Sequence, residues 1–499
     1  MVVIVFSKVL GMLRDVVLAN YFGTSNISDA YLIASSVPTL LFYFIGHALS
    51  TAFLPMYNKV KLDRGEKAAD NYVHNLLCTS LIISTVIVIV LLVFPEAVVK
   101  IFAAGFNQET VKIAVDFIRV SSFSLYLMTV ISVWSGYLQA KSNFIIPAMV
   151  SVPRNIAIMV SVVLAAVVHI SFLGIGLLIA YICELLLLLP FVFKSGYRPK
   201  VVVNLRSPDL HETLYIVLPI MLGVGVSQIN KIIDKSIAST VVEGGISALT
   251  YASVINNAVQ EVLVTGIITV LFARCAAWAS EGKHELVKQK TSETIQTMMS
   301  LLLPVSCGVV FLSREIVVCL LARGNFDENS TTMTVGALCC YTVGLVFLAT
   351  RDTLVKVFYA YKMTRSATVI SILSIVMSVL LKLILSGPYG TNGLAISTSI
   401  SAIFQCIVLY IILYRRIGDF YIKSQLIVVL QSIIASSAMV AVLFAVERAV
   451  AGFNDFSRLV VITICGATVY FVVGLLIRLP IACAILNKLT RIFVRNKEN

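Results

Sequence analysis

Charged residues stand inside the first apolar stretch of the chain, where an ordinary membrane span carries none. Lys8, Arg14 and Asp15 all precede Phe22. A charge at the centre of a bilayer costs roughly 2.5–3.5 kcal/mol on insertion scales, so such residues normally face a polar cavity or a partner. The guanidinium of Arg14 is suited to gripping a phosphate through two parallel hydrogen bonds, with Asp15 holding it in place. A purely structural ion pair is the alternative.

Further polar residues interrupt apolar stretches in the second half of the chain. Lys231 and Asp234 lie one helical turn apart, and Lys235 follows them. This spacing predicts a polar, hydrated helix face. Asn256 and Glu261 belong to a polar patch in the next stretch, which could line a cavity wall or form interhelical hydrogen bonds.

Two more charged positions follow nearer the end of the chain. Arg351 is followed by Asp352 and Lys356 on one predicted helix face, whereas Lys382 stands alone in its stretch. The ordinary interpretation of Lys382 is that its ammonium reaches the membrane interface near Gly387.

No pattern typical of catalysis or metal binding accompanies these charges. The five histidines, among them His47, are isolated, and no Gly-rich phosphate loop, nucleophile elbow or metal-ligand spacing occurs. A membrane enzyme acting on polyprenyl phosphates would need an acid cluster for a metal or a histidine nucleophile. The sequence therefore predicts no enzyme, no catalytic residue, no cofactor and no metal, and a transport cycle driven by a gradient or by the membrane potential.

The composition places most of the chain in lipid. Hydrophobic residues make up 59% and charged residues 13% of 499 positions, against roughly 25% charged residues in soluble domains. The net charge of +13 is scattered between apolar runs rather than clustered with aromatic residues, which argues against a nucleic-acid partner. The ten cysteines lie mostly within apolar runs and show no zinc or disulfide pattern.

Apolar runs of spanning length predict an all-α polytopic membrane protein with about fourteen transmembrane helices. The runs lie near 1–22, 31–57, 73–103, 115–138, 144–168, 171–193, 213–240, 247–273, 292–322, 333–361, 366–386, 392–414, 424–446 and 459–486.

The distribution of lysine and arginine predicts the topology. With both termini cytoplasmic, the cytoplasmic loops hold 22 basic residues and the opposite loops hold four, namely Lys112, Arg323, Arg448 and Arg458. Short cytoplasmic loops are enriched in these residue types, so this alternation supports fourteen spans.

A weak internal repeat predicts how the spans are grouped. The stretch from Ser7 to Ser28 can be laid on that from Ser227 to Ser247, which places Arg14-Asp15 on Asp234-Lys235. Such repeats are usual in alternating-access transporters, with the site between the halves. We therefore expect two pseudo-symmetric six-helix lobes, 1–200 and 201–418, followed by two terminal helices and a basic cytoplasmic tail in 419–499.

Several stretches in chain order resemble the MurJ (MviN) lipid II flippases of the multidrug/oligosaccharidyl-lipid/polysaccharide exporter superfamily. The stretches begin with Ser7-Lys8-Val9-Leu10-Gly11-Met12-Leu13-Arg14-Asp15 and continue with Ser28-Asp29-Ala30-Tyr31, Ala48-Leu49-Ser50-Thr51-Ala52-Phe53-Leu54-Pro55, Pro219-Ile220-Met221-Leu222-Gly223, Arg323-Gly324-Asn325-Phe326-Asp327, Arg351-Asp352-Thr353-Leu354 and Gly393-Leu394-Ala395-Ile396-Ser397.

The resemblance implies a substrate and a location. The substrate is lipid II, undecaprenyl-diphosphate carrying the peptidoglycan precursor, moved to the outer leaflet of the bacterial inner membrane. The terminal helices would form a groove for the lipid tail. Arg14 would bind the diphosphate, Asp15 and Asp29 match positions in the first helix and its outer loop, and Asp29 would act in gating. Asp234 would lie at the cavity wall. The protein would act as a monomer among membrane lipids, with cell-wall synthesis proteins as candidate partners.

The sequence also departs from the family. Arginines expected in the second and eighth spans are replaced by Leu41-Phe42-Tyr43-Phe44 and Ala252-Ser253-Val254, so Lys231, Lys235 or His47 would have to supply the missing charge. Lys382 stands where some members carry an oxygen ligand suited to sodium, and its ammonium could occupy that place. These departures leave open a flippase for another polyprenyl-linked oligosaccharide, or a regulatory membrane protein that has lost transport.

Overall fold

The apolar runs become helices throughout the described part of the chain. The computed structural model describes the backbone of residues 2–450, 452–484 and 486, and their side chains except at 2–5, 44, 45, 47, 48, 219, 220, 222–224, 226 and 227. Within this part every regular element is a helix. The side chain of His47 and the predicted basic tail after residue 486 lie outside it.

The chain divides into two compact units. Unit 1 comprises Met1–Ser247 with Arg323–Asp327, and unit 2 comprises Ala248–Ala322 with Glu328–Asn499. These units follow contacts between helices, whereas the predicted lobes followed the sequence repeat. The predicted lobes, 1–200 and 201–418, and the appendix 419–499 stay predictions.

Unit 1 contains ten helices. They are α1 (Val2–Phe22), α2 (Asn26–Arg64), α3 (Glu66–Val93), α4 (Pro95–Phe102), α5 (Gln108–Ser121), α6 (Ser124–Ala140), α7 (Ile145–Met149), α8 (Ser151–Val167), α9 (Ser171–Lys194) and α10 (Pro208–Val241). Helix α1 packs against α8, α8 packs against α9, and α10 packs against α2. These three pairings position the polar residues described below.

Unit 2 contains the remaining helices, the first of which begins three residues before the unit boundary. They are α11 (Gly245–Gln260), a π-helical turn (Glu261–Thr265), α12 (Gly266–Ser280), α13 (His284–Phe311), α14 (Ser313–Leu321), α15 (Glu328–Ala360), α16 (Thr364–Ile417), α17 (Ile422–Ala449) and α18 (Asp455–Leu476). Helix α15 packs against α13 and α16, and α17 packs against α13 and α18.

Nine helical segments of the described chain are long and apolar enough to cross a membrane, or ten if the bent pair α5 and α6 forms one span. Helix α16 counts once among them, yet its 54 residues would extend about 80 Å at 1.5 Å per residue. Its backbone breaks at Gly390, two residues after Pro388, so it consists of two helices joined at a kink. Helix α1 is not among the nine and carries three charged residues. Each of the fourteen predicted runs overlaps a helix, and the count itself stays a prediction.

Gly23 shows how tightly the loop after α1 is packed. Its φ of +54° lies in the left-handed region, and its N–H donates to Ala19 to close the helix. A Cβ atom there would lie 2.3 Å from the carbonyl oxygen of Asn325. Asn325 in turn donates from its backbone to Asn20 and from its side chain to Tyr21. The 323–327 segment of unit 1 is therefore fixed to the end of α1.

We predict that Gly23→Ala lowers the thermal unfolding temperature of the purified protein far more than Gly282→Ala. Gly282 also has a left-handed φ, of +73°, but a Cβ there meets no atom within 4 Å. Gly282→Ala should therefore cost only the strain of a left-handed backbone, about 1–2 kcal/mol. Gly23→Ala adds to this strain a clash with the backbone oxygen of Asn325. Equal shifts in the two variants would show that the segment is not held in this packed arrangement.

Candidate functional site

The charged residues of α1 form a close ion pair. Arg14 Nη2 lies 2.7 Å from Asp15 Oδ1, and Arg14 Nε donates to the same oxygen at 3.0 Å. The side chain of Arg14 is 31% exposed and that of Asp15 is 10% exposed. The carboxylate is therefore the more hidden partner, and the guanidinium is the group that a ligand could reach.

Helix α8 supports this pair through Asn155. Its Oδ1 accepts a hydrogen bond from Arg14 Nη1 at 3.4 Å, and its Nδ2 donates to the backbone oxygen of Ser7 at 3.3 Å. Asn155 is itself buried. We call Arg14, Asp15 and Asn155 the α1 polar face. The oxygen and the nitrogen of the Asn155 side-chain amide both form hydrogen bonds to α1. Helix α8 therefore fixes the position of α1 around Arg14.

A second ion pair beside this face was missed in the sequence analysis. Arg154 on α8 lies next to Asn155, and its Nη1 is 3.3 Å from Oε2 of Glu184 on α9. The same guanidinium lies over the ring of Tyr181, 5.6 Å from its centroid. The sequence does indicate this pair, because an arginine and a glutamate each lie inside one of two consecutive apolar runs.

Polar residues of α10 contact α2. The ammonium of Lys235 donates to the backbone oxygen of Leu32 at 3.3 Å and to the hydroxyl of Ser36. Lys231 lies over the ring of Tyr43 at 5.9 Å, and Asn230 donates to Asp234 at 3.4 Å. Lys235 thus connects two helices of unit 1. The binding roles of Lys231, Asp234 and Lys235 stay predictions.

Asp29 in the first turn of α2 holds the beginning of α11. Its Oδ1 accepts the backbone N–H of Ser247 at 2.7 Å, and both residues are buried. A carboxylate near the first backbone N–H groups of a helix satisfies donors that have no partner within the helix, and it interacts favourably with the helix dipole. Asp29 is therefore in the position of a helix cap, and its predicted role in gating is untested.

Opposite ends of α2 and α10 are joined by exposed ion pairs. Lys59 Nζ lies 2.6 Å from Glu212 Oε1, and Arg64 pairs with Asp209. The hydrogen bond to Glu212 raises the pKa of the Lys59 ammonium. Exposed ion pairs contribute little to stability, so these contacts mainly orient the two helix ends.

Unit 2 has its own polar network. Arg351 pairs with Asp352 at 2.7 Å, and Asp352 accepts a hydrogen bond from Gln260 at 3.0 Å. Glu261 begins the π-helical turn that follows Gln260, and such turns are frequent at functional sites. Asn256 is buried, and its Oδ1 accepts no hydrogen bond from any described residue.

The sequence-based expectation that Lys382 reaches the membrane interface is wrong. Its side chain is only 2% exposed and is among the largest fully buried side chains of the structure. Surrounding protein atoms therefore cover this side chain. Whether its ammonium replaces a bound cation stays a prediction.

An apolar groove lies in unit 2 between α13, α17 and α18. Its volume is about 530 Å³. Lining residues include Leu301, Gly308, Leu443 and Phe471, and none of the described residues that border the groove is charged. A Cβ atom at Gly308 would meet no atom within 4 Å, so the groove is open at this position.

The family follows from a match along most of the chain. The family model described as "Lipid II flippase MurJ" matches residues 18–463. The chain belongs to this family. A "Probable lipid II flippase MurJ" of Thermotoga maritima is 28% identical over 400 residues, which are 80% of this chain and 80% of that protein.

Solved structures of a lipid II flippase and of a multidrug transporter share the fold of this chain. A structure titled "Lipid II flippase MurJ, inward closed conformation" is 26% identical, covers 96% of this chain and 98% of its own, and has a TM-score of 0.82. An inward-facing multidrug resistance MATE transporter of the MOP superfamily is 18% identical over 83% of this chain and 95% of its own, with a TM-score of 0.72. The predicted all-α polytopic membrane fold and the resemblance to this family are confirmed.

The structure brings together only part of the predicted set. Arg14 and Asp15 are paired, Lys235 is joined to α2, and Asp29 is joined to the start of α11. Among the described residues, no group of three or more histidine, cysteine or acidic side chains could hold a metal ion. The roles of all these residues in binding stay predictions.

We predict that Asp29→Ala speeds amide hydrogen exchange in the first turn of α11, whereas Asp29→Asn changes it less. Removing a side-chain cap lowers the stability of a helix end by about 1 kcal/mol. Because amide exchange depends on the free energy of local opening, the exchange should become several-fold faster. Asparagine keeps an acceptor oxygen for the Ser247 N–H. Unchanged exchange of a peptide covering 245–250 in Asp29→Ala would contradict the capping role.

Proposed function

We propose that this protein moves lipid II from the cytoplasmic to the outer leaflet of the bacterial inner membrane by alternating access. The observation that carries the proposal is the family match over residues 18–463. Lipid II has a charged diphosphate with a polar headgroup and a long apolar tail. A protein that moves it needs a polar surface within the membrane and an apolar surface for the tail.

The α1 polar face suits the diphosphate. A guanidinium presents five N–H donors in a planar fork that matches phosphate oxygens. Asp15 occupies two of the Arg14 nitrogens, and Asn155 is bonded to the third. The long contact to Asn155, 3.4 Å, is the weakest of these. A phosphate oxygen that displaces the amide would form a shorter, charge-assisted bond.

The groove between α13, α17 and α18 suits the polyprenyl tail. Its described lining is mostly apolar and carries no charge, so a hydrocarbon chain that enters it separates few polar groups of the protein from hydrogen-bond partners. Ser300 and Tyr470 border it, but the Tyr470 hydroxyl donates to the backbone oxygen of Ser300 at 2.6 Å and is thereby satisfied within the protein.

The proposal includes the topology and the mode of action. The split of 22 to four basic residues supports cytoplasmic termini. The protein acts as a transporter without chemical conversion of its substrate and as a monomer, and cell-wall synthesis proteins are its candidate partners.

A second candidate is a flippase for another polyprenyl-linked oligosaccharide. The observation that favours it is the absence of basic residues from 41–44 and 252–254, where the resemblance predicts arginines. A regulatory protein without transport would share this sequence feature, and the experiments below separate the three.

We predict that the wild-type gene restores growth and lipid II export in cells depleted of their own flippase, and that Arg14→Ala does not. Arg14→Lys keeps a positive charge beside Asp15 but lacks the planar guanidinium that can donate two parallel hydrogen bonds to a phosphate. Export by this variant should therefore fall by about tenfold. Arg119→Ala is the control, because within the described part of the chain this exposed arginine forms an ion pair only with exposed Asp116 on α5. Outer-leaflet lipid II and membrane protein level are both measured.

One outcome would contradict this function, and a second would contradict the proposed binding site. Wild-type protein present at normal level without lipid II export would favour the other-oligosaccharide or the transport-inactive candidate. Full export by Arg14→Ala would show that the α1 polar face does not bind the diphosphate.

We also predict that Gly308→Leu impairs export while Gly308→Ala leaves it nearly unchanged. Leucine fits the helix and projects into open space, so the protein should fold normally while the groove loses volume needed by the tail. Export is compared at equal membrane levels. Normal export by Gly308→Leu would place the tail elsewhere.

A further inference from the structure

The Arg154–Glu184 pair resembles the Arg14–Asp15 pair in the exposure of its two side chains. In each, the carboxylate is the hidden partner and the guanidinium is accessible. The side chain of Glu184 is 4% exposed and that of Arg154 is 30% exposed, against 10% for Asp15 and 31% for Arg14.

Arg154 lies beside the α1 polar face. It directly precedes Asn155, the residue that bonds Arg14 and Ser7. Tyr181, whose ring lies under the Arg154 guanidinium, is also close enough to interact electrostatically with Arg14. The two arginines therefore share neighbours on α8 and α9.

Both arginines lie away from the ends of their membrane segments. Arg154 is nine residues after the start of the span Ile145–Val167, which α7 and α8 form together, and Arg14 is eight residues before the end of α1. At 1.5 Å per residue these positions are roughly 12–14 Å from a helix end. Charges at this depth are costly unless they face a polar cavity or a partner. Two accessible guanidinium groups at this depth are therefore suited to an anion.

Most donors of Arg154 remain available. Among the described residues, only Glu184 accepts a hydrogen bond from it, through Nη1 at 3.3 Å. A guanidinium has five N–H groups. The lysines expected to replace the missing arginines are engaged otherwise, since Lys235 bonds α2 and Lys231 lies over Tyr43.

We propose that Arg154 is a second binding residue for the diphosphate of the transported lipid, beside Arg14, and that Glu184 holds its guanidinium in position. The proposal rests on the lipid II function proposed above and specifies the cation that compensates for the uncharged 41–44 and 252–254 segments. Tyr181 restricts the plane of the guanidinium from one side.

Removal of Arg154 alone would not test the proposal, because it leaves the buried Glu184 unpaired and could unfold the protein. The informative variant is the double substitution Arg154→Gln with Glu184→Gln, which removes both charges. Glu184→Gln alone keeps the cation. Arg119→Gln is the matched control for loss of an arginine at an exposed position.

Binding of undecaprenyl diphosphate is measured with each full-length variant in nanodiscs of uncharged phospholipid. Inorganic pyrophosphate and undecaprenol are tested in parallel, to separate a lipid-linked diphosphate from a free one and from the tail alone. Glu184→Gln keeps an acceptor oxygen for the Arg154 guanidinium and removes a negative charge near the ligand, so it should bind undecaprenyl diphosphate at least as tightly as wild type. The double variant should unfold near the wild-type temperature yet bind about tenfold more weakly, as expected for loss of one charge-assisted contact. Its binding of undecaprenol should be unchanged.

The outcomes separate this inference from the proposed function. If wild type binds undecaprenyl diphosphate and exports lipid II, and the double variant does both equally well, the pair is structural and the inference is wrong. If wild type neither binds nor exports, the proposed function fails and the inference falls with it. Equal weakening of undecaprenol binding in the double variant would also overturn the inference, because the diphosphate would not be the group contacted.

Discussion

The cost of placing charge inside a bilayer is the constraint on which this structure depends. Each charge in a membrane helix must have a partner, a polar surface, or both. Arg14 has Asp15 and Asn155, Arg154 has Glu184, and Lys235 has oxygen atoms of α2. Partners satisfy the charges without hiding the two guanidinium groups. This combination of satisfied and accessible cations makes unit 1 suited to an anionic headgroup.

Apolar surface has the complementary role in unit 2. Helix contacts within lipid gain little from the hydrophobic effect, so packing and hydrogen bonds hold the helices together. The groove between α13, α17 and α18 leaves part of this apolar surface unpacked. Its uncharged lining and the open position at Gly308 suit a hydrocarbon chain. A polar surface that suits a headgroup therefore lies in unit 1, and an apolar surface that suits a hydrocarbon tail lies in unit 2.

Hydropathy predicted where helices form, because a backbone in lipid must satisfy its own hydrogen bonds and therefore becomes helical. The break at Gly390 was also visible as punctuation between two runs. Local pairs such as Arg14 with Asp15 could be read from adjacency. The Asp29 contact with Ser247 and the Arg154 contact with Glu184 could not, since they join residues that only tertiary packing brings together. The burial of Lys382 was missed for the same reason: sequence does not show which helix face is covered.

The most direct test of this account is an experimental structure of the protein in a lipid nanodisc with bound lipid II. The account predicts a phosphate oxygen about 2.8 Å from a guanidinium nitrogen of Arg14, as in charge-assisted hydrogen bonds, with the polyprenyl chain along α13, α17 and α18. A diphosphate bound away from α1, with Arg14 still bonded only to Asp15 and Asn155, would contradict it.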